Sequence, residues 1–308
     1  TLSGDLPGVL LVAKLDGRDG TEQWRFSLPE SLRADGLAVD ARGDVVAAGF
    51  VLGAPLFPTA IRPAAVTVVK LGGETGTLLW RRDLDVAWST ESIAVDAAGD
   101  VSLALAVRTS EPPNTDFAVA KLAGSTGALI WLARESASDG TWEEALRVVV
   151  DPSGAVYAAG VTSDAPSSDG HRFTVVRLDA ATGSRVWSYR APGGRGGAVA
   201  RTLLLAPSGR LIAAGFTTGA TKCRDGLAIA MDTATGTPVW SRSVDGTLAS
   251  RRCHAGCEMG ICPVVDHDEI TALAVDPIGR AIVAGAWVNR GDTSPSGSGF
   301  VRRLNVRR

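Results

Sequence analysis

The chain has 308 residues, 31 Lys and Arg against 33 Asp and Glu for a formal net charge of −2, and no basic run beyond the C-terminal RRLNVRR. That balance excludes a nucleic-acid surface of the usual electrostatic kind. The longest apolar runs, VLLVA at 9–13 and LRVVV at 146–150, are strand-length, far short of the ~18–20 residues of a membrane helix.

A folded chain of this size buries roughly 75% of the surface it exposes when unfolded, so no metal or partner is needed to complete a core. The first residues, TLSGDLPG, carry neither the charged nor the apolar region of a secretory leader, so the expectation is a leader already removed or never present.

In chain order, two motifs alternate. The first enters with AKLDGRDGTEQW at 13–24 and returns as VKLGGETGTLLW (69–80), AKLAGSTGALIW (120–131), VRLDAATGSRVW (176–187) and IAMDTATGTPVW (229–240): a strand, a Gly turn and a Trp. Between these copies lies the second, LAVDARGDVVAAG (37–49), IAVDAAGDVSLAL (93–105), VVVDPSGAVYAAG (148–160), LLLAPSGRLIAAG (203–215) and LAVDPIGRAIVAG (273–285), with spacings of 56, 55, 55 and 70 residues. Each unit therefore reads as four short strands, a to d. Tight turns join a to b and c to d, because Asp caps local backbone amides and Gly takes positive φ.

Four-stranded units repeated at about 40–55 residues predict an all-β chain folded as a β-propeller. AMDTATGTPVW (230–240) resembles the tryptophan-docking motif of quinoprotein-type (PQQ-like) propellers, and VDPSGAVYAAG resembles the β-propeller repeats of bacterial surface and secreted proteins. Trp24, Trp80, Trp131, Trp187 and Trp240 then read as pins on the outer strands, packed against the Gly turn of a neighbouring blade. Type c strands occur six times, at 9–15, 66–71, 117–122, 173–178, 227–231 and 299–304, and the other types five times. Five blades are favoured over six, in one domain spanning 1–308 and closed by the N- and C-terminal strands, with a segment of a longer array as the other reading.

Where strand a ends in Asp40, Asp96, Asp151 and Asp276, strand c carries Lys70, Lys121, Arg177 and Arg303. The fourth unit has Ala206 and Ala230 instead. This joint loss predicts one ion pair per blade on the short-turn end.

The b–c and d–a connections at the opposite end vary in length and composition, as binding loops on a rigid scaffold do. Strand entries near the axis there carry Arg33, Asp35, Glu91, Glu143, Glu144, Arg147, Arg201, Asp268 and Glu269. Of these, Asp35, Glu91, Glu144, Arg147, Arg201, Asp268 and Glu269, with His267, form the candidate ligand-binding set. Such a set could take a cation or a sugar, or supply the acid and base of a glycosidase.

All four cysteines fall on the variable end: Cys223 in a b–c loop, and Cys253, Cys257 and Cys262 in the long insertion at 242–268. Their even number predicts two disulfides and an oxidising compartment, Cys223 to Cys253 and Cys257 to Cys262 being the favoured pairing of three. The rival reading is zinc held by the three clustered cysteines and His267. His171 and His254 read as exposed loop residues. No nucleophile elbow, phosphate loop or His-Glu-x-x-His motif is present, so no catalytic residue is assigned.

No cofactor is expected, calcium and zinc being the ions this chemistry could take. The function expected is a secreted, cell-surface or periplasmic scaffold that binds a protein or glycan through its variable loops. A carbohydrate-active propeller and a quinone-dependent dehydrogenase are the alternatives.

Overall fold

The computed structural model describes residues 9–29, 31–52, 63–109, 114–135, 142–165, 170–191, 197–218, 224–244, 266–276, 280–289 and 296–304. These form strands and turns and no α-helix. β1 (Leu10–Leu15) and β2 (Glu22–Leu28) make a hairpin with the c and d strands of a blade. The first full blade is β3 (Ser31–Val39), β4 (Val45–Leu52), β5 (Pro63–Leu71) and β6 (Leu78–Leu84); the second is β7 (Ala87–Val95), β8 (Val101–Arg108), β9 (Thr115–Leu122) and β10 (Leu129–Glu135). The third is β11 (Glu144–Val150), β12 (Val156–Ser163), β13 (His171–Leu178) and β14 (Arg185–Ala191). The fourth has β15 (Ala198–Leu205), β16 (Arg210–Thr218), β17 (Arg224–Asp232) and β18 (Pro238–Val244), and β19 (Asp266–Val275), β20 (Ala281–Asn289) and β21 (Ser296–Arg303) follow as strands a to c of the next.

Each blade is an antiparallel meander. One parallel pairing, Arg224 with His267, joins β17 to β19, and an isolated parallel bridge from Thr115 to Trp142 does the same between the second and third blades.

Packing between blades is apolar and continuous. Val46, Val66 and Val68 of the first blade meet Leu103, Leu105, Ile93 and Val95 of the second, and the third blade lays Val148 and Val150 on Val119 and Phe117. Middle strands are buried on both faces, which explains why they are rich in Val, Leu and Ala instead of alternating apolar with polar. At the first blade the pattern stops. Leu37 and Val39 stand where Ile93 and Val95 stand one blade later, yet are 63% and 60% exposed. The half-blade before them has no a or b strand among the described residues. β2, expected beside β21 in a closed ring, pairs with β1, its hairpin neighbour, and β21 pairs with β20.

At the short-turn end one unit of geometry repeats. Trp24 Nε1 donates to Gly73 O at 3.0 Å, Trp80 Nε1 to Gly124 O at 3.0 Å, Trp131 Nε1 to Ala180 O at 3.2 Å and Trp187 Nε1 to Thr233 O at 3.1 Å. Each indole thus reaches the c–d turn of the next blade. It also lies flat on that turn's glycine: a Cβ added to Gly76, Gly127, Gly183 or Gly236 would sit within 2.7 Å of the indole ring of Trp24, Trp80, Trp131 or Trp187. These glycines have φ near +70°, so both conformation and space exclude a side chain. Trp24, Trp80 and Trp131 are buried; Trp187 and Trp240 are partly buried, less than the sequence suggests.

The expected ion pairs are present in the first two blades. Lys70 Nζ lies 2.8 Å from Asp40 Oδ2 and Lys121 Nζ 2.9 Å from Asp96 Oδ2, with every side chain 7% exposed or less. The same lysines donate to Gly124 O and Ala180 O, the carbonyls already bonded by Trp80 and Trp131. Burial alone would raise the Asp40 carboxyl, but hydrogen bonds from Lys70 and the Asp44 and Arg42 amides outweigh it and hold it below the usual range.

The third blade departs from this scheme. Asp151 accepts from the Tyr157 hydroxyl at 3.0 Å, while Arg177 stacks on the Tyr157 ring at 5.9 Å and donates toward Thr233 O. The inserted phenol takes the acid that Arg177 was expected to hold. Asp276 bonds Arg280 on its own turn, and the Arg303 side chain lies outside the described residues.

Removing Lys121 strands the Asp96 carboxylate in a buried site, so Lys121→Ala is expected to cost about 3–5 kcal/mol. The double variant with Asp96→Ala should cost much less than the sum of the two singles, as the natural Ala206 and Ala230 arrangement implies. Urea unfolding of the cycle measures this, and additive losses would refute it.

A second expectation concerns alkali. Burial, then the hydrogen bond to Asp151 and its charge, push the Tyr157 phenol up to about 12 against about 10 when unfolded. Its contribution is complete below pH 10 and is lost as pH rises through 12. Tyr157→Phe should therefore flatten the fall in stability over that window, read by denaturation at stepped pH.

Candidate functional site

β3 and β7 break register once near their starts, and all five inner strands break it at one common place. The unpaired residue is Asp35 on β3, Glu91 on β7, Leu146 on β11, Arg201 on β15 and Thr271 on β19. A β-bulge kinks the strand and re-aims a side chain. The glycine ending the Ala-Ala-Gly motif on strand b makes room for it: a Cβ on Gly160 would meet Glu144 O at 2.0 Å, and one on Gly215 would meet Val199 O at 2.0 Å. The strand-interior glycine is the sequence signal for these bulges.

Four of the five bulge residues, Glu91, Leu146, Arg201 and Thr271, line one cleft with Arg147 and Glu269, enclosing about 210 Å³. The structure thus brings together Glu91, Arg147, Arg201 and Glu269 from the expected set. Arg201 Nε donates to Glu269 Oε1, and Arg224 NH1 lies 3.9 Å from Glu269 Oε2. Arg147 NH1 donates to the carbonyls of Leu146 at 2.7 Å and Glu91 at 3.4 Å.

Other members of the set go elsewhere. Asp35 holds the β3 bulge and Asp268 is buried, and neither lines the cleft. Glu144 is buried and accepts from Ser89 Oγ of the preceding blade at 2.8 Å. Glu143, fully buried, accepts the Ser163 amide at 2.8 Å. Both are carboxylates that tie strands together. The Arg33 and His267 side chains, all four cysteines and His254 lie outside the described residues, as do the expected disulfides and the zinc alternative. Among the described residues no three metal-ligating side chains converge.

Arg224 escapes the sequence reading because it opens a c strand inside a variable loop. Its guanidinium stacks on Phe216 at 4.2 Å, and burial followed by the opposing effects of Glu269 and Arg201 leaves its pKa below the ordinary value. Two further aromatic pairs stand at this end: Arg108 over Trp88 at 5.4 Å, and Trp142, 42% exposed, beside His171 at 5.8 Å. Burial lowers the His171 pKa, so the ring is neutral at physiological pH. His171 is therefore half-buried against Trp142, not the exposed loop residue of the sequence reading.

If the bulges aim the cleft residues, filling the space behind one must disturb it. Gly215→Ala should destabilise the chain by about 1–3 kcal/mol and move Arg201, whereas Ala213→Gly, one face-repeat away, should leave the arginine in place. Crystal structures of both variants test this, and an unmoved Arg201 in the first would refute it.

Comparisons with known proteins come after this geometry. The family described as outer membrane protein assembly factor BamB matches residues 67–277. No curated protein matches the chain. Among solved structures, quinohemoprotein alcohol dehydrogenase from Comamonas testosteroni superposes at a TM-score of 0.54 with 14% identity, over 91% of this chain and 49% of that one. A protein of unknown function from Dyadobacter fermentans gives 0.52 with 12% identity over 91% and 78%, and BamB from Moraxella catarrhalis 0.44 with 15% identity over 94% and 82%. The chain spans about half the length of the dehydrogenase it matches. At these identities the likeness is one of fold.

Proposed function

The chain belongs to the family described as outer membrane protein assembly factor BamB, and on that premise we propose that it is a non-catalytic binding and assembly scaffold that holds a protein partner on its variable-loop end. The observation that carries this reading is the division of labour between the two ends. The short-turn end spends its polar groups and tryptophans on neighbouring blades. The loop end carries Trp88 with Arg108, Trp142 with His171, and Arg224 over the buried ring of Phe216, on three consecutive blades, and Trp and Arg dominate the energetic centres of protein interfaces.

A place outside the cytoplasm, at the cell surface or in a periplasm, accompanies the proposal. The family description supports it, and no helix among the described residues is long and apolar enough to cross a membrane. A glycan partner, a carbohydrate-active role for the axial carboxylates and a quinone-dependent activity are outcomes the test must be able to return. Closure of a five-bladed ring by the terminal strands is likewise proposed, and it requires β2 to leave β1 for β21.

Photo-crosslinking residues at Trp142 and Thr109 on the loop end, and at Ala41 and Ala98 on the short turns, decide the face. In extracts of the source cells the loop positions should give discrete protein adducts and the turn positions none. Equal labelling from both ends, or glycan-array or quinone binding without adducts, would overturn the scaffold reading.

A further inference from the structure

We propose that the axial cleft is the anchoring pocket of the loop end and that it takes a carboxylate carried by a protein segment, an Asp or Glu side chain or a chain terminus. This rests on the scaffold reading and names what the partner must offer.

Size comes first. The cleft of about 210 Å³ falls below the roughly 300–1,000 Å³ of pockets that take drug-sized ligands and cofactors, and it equals roughly seven waters at 30 Å³ each. It admits a side chain or a terminus and is small for an oligosaccharide or a multi-ring cofactor.

The way the charges are shared decides the sign. Within the lining Glu91 and Glu269 balance Arg147 and Arg201, and Arg224 stands beside the cleft, 3.9 Å from Glu269. Glu269 is already shared between Arg201 and Arg224. Arg147 has its NH1 on the carbonyls of Leu146 and Glu91 and, among the described residues, no carboxylate within ion-pair distance. A guanidinium held by backbone carbonyls on one edge keeps its other donors in a fixed fork, the geometry that binds carboxylate bidentately.

Position supports the same conclusion. Leu146 and Arg201 are bulge residues, so the pocket is set by backbone geometry that every blade shares while its chemistry differs from blade to blade. Such a position lets a generic array acquire a particular specificity. Arg224 and Arg201 also both stand over the Phe216 ring, at 4.2 and 5.9 Å, which joins the cleft to the aromatic pairs of the loop end.

Three soluble probes test the idea on the full chain by isothermal titration at low salt. N-acetylglutamate α-amide carries a side-chain carboxylate, N-acetylglycine a terminal one, and N-acetylglutamine amide neither. At least one acid should bind and the neutral amide should not; which acid binds tells a side chain from a terminus. Arg147→Gln should weaken binding at least tenfold. Glu269→Gln, which removes the competing internal carboxylate, should tighten it several-fold, a gain that a misfolded variant cannot produce. Binding of the neutral probe, no acid binding up to 50-fold above about 1 mM, or unchanged affinity in both variants would overturn the proposal. Discrete crosslinks from the loop end alongside silent probes would leave the scaffold reading standing and remove only this one.

Discussion

One carbonyl oxygen per blade holds this array together. Gly124 O receives both the Trp80 indole and the Lys70 ammonium of the preceding blade, and Ala180 O receives Trp131 and Lys121. The carbonyl belongs to a c–d turn whose glycine carries the same indole on its face. Turn conformation, ring stacking and, in the first two blades, ion pairing therefore meet at one atom. A buried ammonium is tolerable because it has an aspartate behind it and a carbonyl in front. The aspartate in turn accepts the amides of its own a–b turn, so two turns of one blade and one turn of the next are fixed together.

That arrangement explains why the two ends of the blades differ in kind. At the short-turn end every residue type is dictated by a neighbour, and the sequence repeats. At the loop end the strands are held from below, so the connections above them are free to change without cost to the core. Function concentrates where the scaffold imposes least, and here the imposed and unimposed ends are separated by the length of a strand. The bulges lie between them. They are imposed in geometry, since every inner strand has one at the same register, and free in chemistry, since that register holds Asp35, Glu91, Leu146, Arg201 and Thr271.

How much of this was legible in the sequence follows from the same division. Repeats disclosed the strands, the turns and the partners of Lys70 and Lys121, because those features recur blade after blade. Arg177 went to the wrong partner because Tyr157 appears in one blade only, and a single phenol hydroxyl placed near Asp151 redirects the arginine onto its ring. The expected carboxylate ring mixed two populations that strand position cannot separate. Glu143 and Glu144 precede the bulge and turn inward to bond Ser163 and Ser89, whereas Glu91 is the bulge and lines the cleft. A shift of one residue reverses the face of a strand, and a bulge supplies that shift without any change in composition.

The glycine of strand b offered a way to see this. In a middle strand, where apolar side chains fill most positions, a glycine weakens pairing and buries nothing. Its recurrence at positions 49, 160, 215 and 285 calls for a backbone passing where a Cβ would stand, and Glu144 O and Val199 O pass there. The second blade is the control, for it has Leu105 at that place and still keeps the bulge at Glu91. There Thr90 Oγ1 donates to Ala104 O at 3.0 Å, a side-chain bond across the irregularity that the alanines of the third and fourth blades cannot make. The bulge therefore belongs to the inner strand itself, and the glycine is one of two ways of accommodating it.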